Sequence, residues 1–390
     1  MIRSTNISLK EANFGKCSEL TEFRTEYRNV ISLFVDILWN LEEIPTLLPK
    51  DVTSSIDTWI SARARQAAAK QASGIVRGTR KKHKQRFYVY NQLIKDGLYK
   101  KARKLKKVID ANPITKPKID HVNPELDSRF VSFDLDNQTS FDGWLTISSI
   151  GRNMKIKIPF KKTKNFNKWN SIAEMKNGIR LGEKRATIMF ESEPTVAIGK
   201  TVGIDIGVKN VVTVSDGQVD FPDIHNHTLE TIQRKISRRK KGSTGFKKAC
   251  QHRKNHINRM INSINLDGVG IVRIENIKDL RRGKKSSRLL SHWTYTEITG
   301  KIELACEECG VRVEHVNPTY TSQRCSKCGW TRKRNRRGKE FRCSACGFAC
   351  DADLNASVNI SLDLPRISKK KRLEKKNLSG FFWNFKVGSL

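Results

Sequence analysis

Four cysteines constrain this chain more than any other feature. Cys325-Ser-Lys-Cys328 and Cys343-Ser-Ala-Cys346 are two Cys-x-x-Cys turns separated by fourteen residues. Each turn presents two thiolates, and four thiolates make a closed tetrahedral Zn²⁺ site, structural rather than catalytic. The gap is slightly shorter than the common ribbon spacing of about 15–20 residues. Gly329 and Gly347 follow the second cysteine of each pair, where a tight knuckle favours glycine. The alternative is a set of free or redox-active thiols. The total of nine cysteines is odd, which suits a reducing compartment and a metal better than a disulfide framework. Cys306 and Cys309 form a further pair in a helix-like segment with no partner pair left, and they read as packed thiols. Cys17, Cys250 and Cys350 read as incidental.

Between the knuckles lie Trp330, Arg332, Lys333, Arg334, Arg336, Arg337 and Lys339, expected to form a phosphate-gripping tip. The basic surplus runs through the whole chain: 75 Lys+Arg against 39 Asp+Glu in 390 residues, a formal net charge of +36. Such an excess is foreign to a typical metabolic enzyme, and its natural counter-charge is a nucleic-acid backbone. A membrane surface is the rival polyanion. The longest apolar stretch, Ile31 to Trp39, is far too short to span a bilayer and carries Asp36. The opening residues MIRSTNISLKE lack the apolar core of a signal peptide, so the chain is expected to stay in the cytoplasm, with no membrane partner.

Residues 17 to about 117 carry a helical pattern. Leu20, Phe23, Tyr27, Val30, Ile31, Phe34 and Leu38 recur at spacings of mostly three and four, a core-facing stripe, before Pro45 and Pro49 break it and a second run begins near Ser54. Thirteen Lys/Arg then crowd between Arg77 and Lys107 against one acid, Asp96. Arg77, Arg80, Lys81, Lys82, Lys84, Arg86, Lys100, Lys101, Arg103 and Lys104 are the candidate phosphate contacts, with Tyr88 and Tyr90 as stacking surfaces. The plain alternative is a solvated helix face, but one so lopsided has no salt-bridge lacing. After Asn112-Pro113 the period changes to two: Val131, Phe133, Leu135; Met154, Ile156, Ile158; Ala186, Ile188, Phe190. Short alternating strands between polar turns predict a small antiparallel β-barrel or sandwich with basic loops at Lys161, Lys162, Lys164 and Lys168.

Beyond Pro194 strands and helices alternate, which predicts an α/β domain with a mixed sheet. Thr201–Val208 and Asn210–Ser215 read as a hairpin, and Val269–Glu275 and Gly310–Val316 as further strands. Residues 231–265 hold eleven Lys/Arg and no acid, a basic helix pair broken at Gly242–Gly245, with Arg238, Arg239, Lys240 and Lys241 as candidate nucleic-acid contacts. In so basic a chain, acids at the ends of apolar strands stand out. Asp205 sits in Val-Gly-Ile-Asp-Ile-Gly, where Gly203 and Gly207 leave room for a phosphate backbone. Glu275 ends Ile-Val-Arg-Ile-Glu, and Asp353 lies where a loop enters a helix. Three buried carboxylates on one sheet repel one another unless a cation such as Mg²⁺ sits among them, and that arrangement supports two-metal phosphodiester cleavage. Singly, each has an ordinary explanation: a turn acid at Asp205, a partner of Arg273 at Glu275, an N-cap at Asp353.

GIDIGVKN, IVRIENIKDL and TSQRCSKCG…FRCSACGFACDADLNASVNI, in that order, resemble the split RuvC nuclease and zinc ribbon of TnpB, the transposon-encoded RNA-guided nuclease, and of miniature type V CRISPR effectors. The strong match spans about 198–362, and KIPFKKTKNFNKW more loosely resembles the family's wedge barrel. The resemblance implies an RNase H-like fold with Asp205, Glu275 and Asp353 as catalytic, Mg²⁺-binding residues; the family's Asp-x-Asn element favours Asp353 over Asp351. It implies Cys325, Cys328, Cys343 and Cys346 as Zn²⁺ ligands; Arg332, Arg334, Arg336 and Arg337 between them are nucleic-acid candidates on their charge alone. The expected organisation is a wedge-like barrel over 1–16 and 118–196, a helical recognition lobe over 17–117, a RuvC-like nuclease over 197–320 and 348–364, a ribbon over 321–347, and a basic, aromatic tail over 365–390. Its implied partners are guide RNA and target DNA, in a prokaryotic cytoplasm, with one or two protein copies on each RNA. The tail's GFFWNF patch reads as a dimer contact or RNA packing. Competing functions are a nuclease-inactive guided repressor, an unguided RuvC-type nuclease, and a zinc-ribbon binding module.

Overall fold

The apolar stripe of the first helical segment organises the N-terminal core. Asn13 caps α1 (Phe14–Trp39) by accepting the Lys16 N–H, and Leu20, Phe23, Tyr27, Val30, Ile31, Phe34 and Leu38 are all buried. Burial of each such side chain is worth about 1.5–3 kcal/mol. After the single turn α2 (Lys50–Ser54), Ser61 caps α3 (Ala62–Lys95), later than the start expected near Ser54. Its buried face is small, with Ala64, Ala68, Ala69, Ala72 and Ser73, so α1 and α3 pack closely. α4 (Tyr99–Ala111) folds back on α3. The computed structural model describes residues 1–135, 138–207, 210–277, 294–362, 364–365, 367 and 379–383. The chain divides into two compact units, 1–193 and 194–390.

The first unit also holds β1 (Ile2–Ser8), β2 (Glu125–Leu126), β3 (Val131–Asp134), β4 (Gly143–Ser148), β5 (Lys155–Phe160), α5 (Lys164–Ile172), β6 (Glu174–Leu181) and β7 (Arg185–Glu191). The strands pair as two antiparallel sheets, ordered β1-β7-β6-β2 and β3-β4-β5; no ladder closes them into one barrel among the described residues. The period-two pattern is visible in burial: Ala186, Ile188 and Phe190 face inward from β7 while their neighbours face out. No described helix is long and apolar enough to cross a membrane.

The second unit begins β8 (Lys200–Asp205), β9 (Thr213–Val214), α6 (Leu229–Ser237), α7 (Thr244–Asn262), β10 (Val269–Glu275), α8 (Tyr295–Glu308) and β11 (Arg312–Val316). These strands form one mixed sheet, β11-β10-β8-β9, in which β8, β10 and β11 run parallel and β9 antiparallel. The hairpin is shorter than expected, and Val208 lies outside the described residues. The strand expected from Gly310 starts at Arg312, because Gly310 turns with φ of 72° after α8.

The ribbon contributes β12 (Trp330–Thr331), β13 (Arg336–Arg337), β14 (Glu340–Arg342) and β15 (Ala349–Asp351), and α9 (Ala352–Ser361) follows directly. Its sheet β13-β14-β15 extends to Asp351, past the boundary expected at 347. β16 (Phe381–Phe382), from the tail, pairs antiparallel with β12. Phe382 packs on Trp330 with ring centres 4.8 Å apart, and Tyr320 meets Phe381 at 5.3 Å and Trp383 at 6.3 Å. A Cβ at Gly380 would lie 2.4 Å from the Trp330 ring, so only glycine fits there. Residues 380–383 of the aromatic patch therefore pack on the chain's own ribbon, with the Phe382 ring left partly exposed. Residues 368–378 and 384–390 of the tail lie outside the described residues.

Candidate active site and four-cysteine cluster

Parallel pairing of β8 with β10 places Ile204 opposite Ile274, so Asp205 and Glu275 emerge side by side at the ends of neighbouring strands. Helix α9 lies across β8 at very short range. A Cβ at Gly203 would sit 2.1 Å from the Ser357 carbonyl oxygen and 2.5 Å from the Ser361 nitrogen. Gly203 thus makes room for a helix, not for the phosphate backbone expected from sequence. This contact brings the first turn of α9, with Asp353, to the same end of the sheet.

Within the Asp-x-Asp pair the two carboxylates have separate duties. Asp351 is the N-cap of α9, accepting the N–H of Asp353 at 2.8 Å and of Leu354 at 3.1 Å. Asp353 is buried, and its oxygens accept Arg336 Nη2 at 2.7 Å and Lys339 Nζ. Both cations come from the ribbon hairpin, so the expected phosphate grip of Arg336 is turned inward to an acid. Glu275 accepts the Thr321 hydroxyl, while Arg273 pairs with Glu314 at 2.9 Å and the Ser361 carbonyl at 2.6 Å. Glu275 is therefore not spent on Arg273.

Burial, then Glu275, then Asp353 push the Asp205 carboxyl up to about 7, against the pull of Arg336 and Lys339. Burial also raises Glu275, opposed by the Thr321 hydrogen bond and Arg336. A fourth acid escaped the sequence reading. Asp220 accepts the Val211 N–H at 2.9 Å through Oδ2, its buried Oδ1 has no partner among the described residues, and burial lifts it to about 6 within the field of Lys339 and Asp353. Oxygen donors of this density suit a hard divalent cation. The three expected acids do not close into one tight ligand cluster; Arg336 and Lys339 supply the positive charge at Asp353.

The cysteines do close. Cys325 and Cys346 sulfurs are 3.7 Å apart, those of Cys328 and Cys343 3.6 Å, and all four converge within 4.8 Å. A tetrahedron of ~2.3 Å zinc–sulfur bonds has edges of ~3.8 Å, so the spacing fits that ion. Both knuckles repeat one design: the Gly329 and Gly347 N–H groups donate to the Cys325 and Cys343 carbonyls, at 2.9 and 3.1 Å, with φ of 81° and 72°. Asn355 and Asn359 of α9 clamp the ribbon root. Each donates to the Arg324 carbonyl at 2.7 Å, and Arg324 returns bonds to Asn359 and to the Trp383 carbonyl. Cys306 is a packed thiol, raised to about 12 by burial, whereas Cys309 is exposed rather than packed.

The remaining basic candidates divide. Lys81, Lys82, Lys84, Arg86, Lys100, Lys101, Arg103 and Lys104 lie on α3 and α4, Tyr88 is exposed on α3, and Arg238 to Lys241 form an exposed turn between α6 and α7. Arg80 is committed inside the protein, donating to the carbonyls of Trp39, Leu41 and Glu42 at the end of α1, and Arg77 donates to Thr46.

Residues 295–360 match the family model described as Cas12f1-like, TNB domain. The chain is 29% identical over 217 residues to the CRISPR-associated endodeoxyribonuclease Cas12f1 of Sulfoacidibacillus thermotolerans, covering 47% of this chain and 50% of that protein. It is 30% identical over 244 residues to Cas12f1 of an uncultured archaeon, covering 52% and 46% respectively. With the putative RNA-guided DNA endonuclease InsQ of Escherichia coli K12 it shares 27% identity over 215 residues, 46% of this chain and 53% of that one. The chain thus spans about half the length of these relatives. With its strand-end acids and its four-cysteine ribbon, the chain resembles the TnpB-like miniature type V effectors.

Proposed function

We propose that this chain is an RNA-guided DNA endonuclease with an RNase H-like site. The observation that carries it is the placement of Asp205, Glu275 and Asp353 at one end of the sheet, on two parallel strands and a crossing helix, with burial raising the Asp205 and Glu275 carboxyls. In this reading the three carboxylates hold Mg²⁺, which supplies water activation and leaving-oxygen stabilisation. Thr321 would orient Glu275, Asp351 caps the helix that carries Asp353, and Arg336 and Lys339, which hold Asp353 in this structure, would have to release it for it to serve as a ligand. Zn²⁺ at Cys325, Cys328, Cys343 and Cys346 keeps the ribbon folded. Guide RNA lies on the basic lobe of 17–117 and the sheets of 1–16 and 118–196, and base pairing selects the target DNA, as the names of the relatives suggest.

The test is cleavage of matched DNA by protein purified with its RNA. Asp205→Ala, Glu275→Ala and Asp353→Ala should each abolish cutting and keep RNA-dependent DNA binding. Wild-type-level cutting by any of them would refute the triad. One observation favours a nuclease-inactive guided binder: Asp353 already has two cations. Binding of matched DNA with no cutting by the wild-type protein in Mg²⁺ would select that reading. Cutting without RNA would select an unguided nuclease.

A further inference from the structure

Pro222-Asp223-Ile224-His225-Asn226-His227, between β9 and α6, takes no part in the site described above. Asp223 ties this turn together: its Oδ1 accepts the backbone N–H of His225 and of His227, both at 2.9 Å. The His227 ring folds back so that Nδ1 lies 3.2 Å from the same oxygen. From the other side α7 supplies His252, whose Nε2 is 2.7 Å from Asp223 Oδ2. The three ligand atoms lie within 4.8 Å of one another, and the two imidazoles meet edge to face at 5.1 Å.

A hydrogen-bonded carboxylate clasp accounts for part of this. It does not account for His256. That residue is one turn beyond His252 on α7, is only 3% exposed, and neither of its ring nitrogens has a hydrogen-bond partner among the described residues. Leaving buried polar atoms unpaired costs about 1–3 kcal/mol each. Its pKa is lowered by burial and then Arg259, and it also feels Asp223, His252 and His227. His252 and His256, at i and i+4, share one face of α7, so His256 stands next to the candidate ligand set without belonging to it. Two imidazole nitrogens and a carboxylate oxygen are the donor set of open zinc sites. With bonds of ~2.0–2.1 Å, tetrahedral ligands sit ~3.3 Å apart. The His227 contact, to Oδ1 at 3.2 Å, is near that length, whereas His252 meets the other oxygen at 2.7 Å and would have to shift to share an ion with it.

We propose that Asp223, His227 and His252 bind a divalent transition-metal ion of the zinc class. The ion would pin the loop before α6 to α7, three residues from Asp220. It is separate from the cysteine cluster and does not depend on the chain being a nuclease.

The test is a Zn²⁺ titration of the 390-residue chain, freed of nucleic acid, against a competing chromophoric chelator, with Co²⁺ as the spectroscopic probe. Wild-type protein should bind one equivalent beyond the cysteine cluster, and its Co²⁺ form should add bands without a thiolate charge-transfer contribution. His227→Ala and His252→Ala should lose this equivalent and keep the cysteine-bound one. Asp223→Asn retains an acceptor for the turn but not the charge. It should weaken the site by more than the roughly 10–100-fold that loss of an outer partner costs. His256→Gln should weaken it less. If His252→Ala fails to fold, Asp223→Asn and His227→Ala decide. Equal zinc stoichiometry and affinity in wild type, Asp223→Asn and His227→Ala would overturn the proposal and leave Asp223 as a hydrogen-bond anchor only.

Discussion

Replacing Asp205 by asparagine should stabilise the magnesium-free protein, and the gain should grow with pH. Burial beside Glu275 and Asp353 lifts this carboxyl from its ordinary 3.8 to about 7. Between those values the folded chain holds a proton that the unfolded chain has released. The contribution of Asp205 to stability is therefore greatest below about pH 4, falls as pH rises towards 7, and levels off above it. Three units at ~1.36 kcal/mol each make about 4 kcal/mol. Asp205 retains some solvent contact, which trims the expected effect to about 2–4 kcal/mol. Asparagine cannot titrate, so Asp205→Asn should match wild type near pH 4 and exceed it by that amount at pH 8. Hydrogen exchange at the β8 and β10 amides reports this sheet specifically and can be followed across the range. Mg²⁺ added at pH 8 should raise wild-type protection and leave the variant unchanged. Parallel pH curves for the two proteins would refute the reasoning, since Asp205 would then carry no shifted proton.

Asp351→Ala removes the α9 cap, so it should cost about 1 kcal/mol and leave cleavage within a few-fold, whereas Asp353→Ala should eliminate cleavage; the reverse result would transfer the catalytic role to Asp351. Cys325→Ser should release one equivalent of zinc in metal analysis and expose Trp330 and Trp383 to fluorescence quenchers, because the tail strand rests on the ribbon. Gly203→Ala drives a methyl into the α9 backbone and should cost at least the ~1–3 kcal/mol of core overpacking, read as a lower unfolding midpoint in urea. Neutralising Lys81, Lys82, Lys84 and Arg86 together should weaken RNA binding and flatten its salt slope by up to about 3, at ~0.7 per phosphate contact; DNA binding by pre-loaded complex should be unchanged, and the opposite pattern would assign this surface to the target strand.

Local chemistry was legible along the chain. The Leu20-to-Leu38 stripe, the alternation in β7 and the paired glycines after each knuckle depend on neighbours within a few residues, so periodicity and spacing announce them. The placement of Asp205 and Glu275 at the ends of apolar runs was equally visible. Partnership was not. Arg336 and Lys339 read as a phosphate grip until the fold closed them onto Asp353, and Gly203 read as space for nucleic acid until α9 filled it. Asp223 and His252, 29 residues apart, carry no recognisable spacing. Tail residues 381–383 met the ribbon through ring packing and one short ladder rather than through any motif. The distinction is physical: a side chain's helical or strand face follows from its near neighbours, whereas its charge partner depends on which distant surface packing brings within about 4 Å. The sequence by itself determined the elements, the acids at their ends and the thiolates in their turns; tertiary structure alone decided which cation, helix or ring each of them meets.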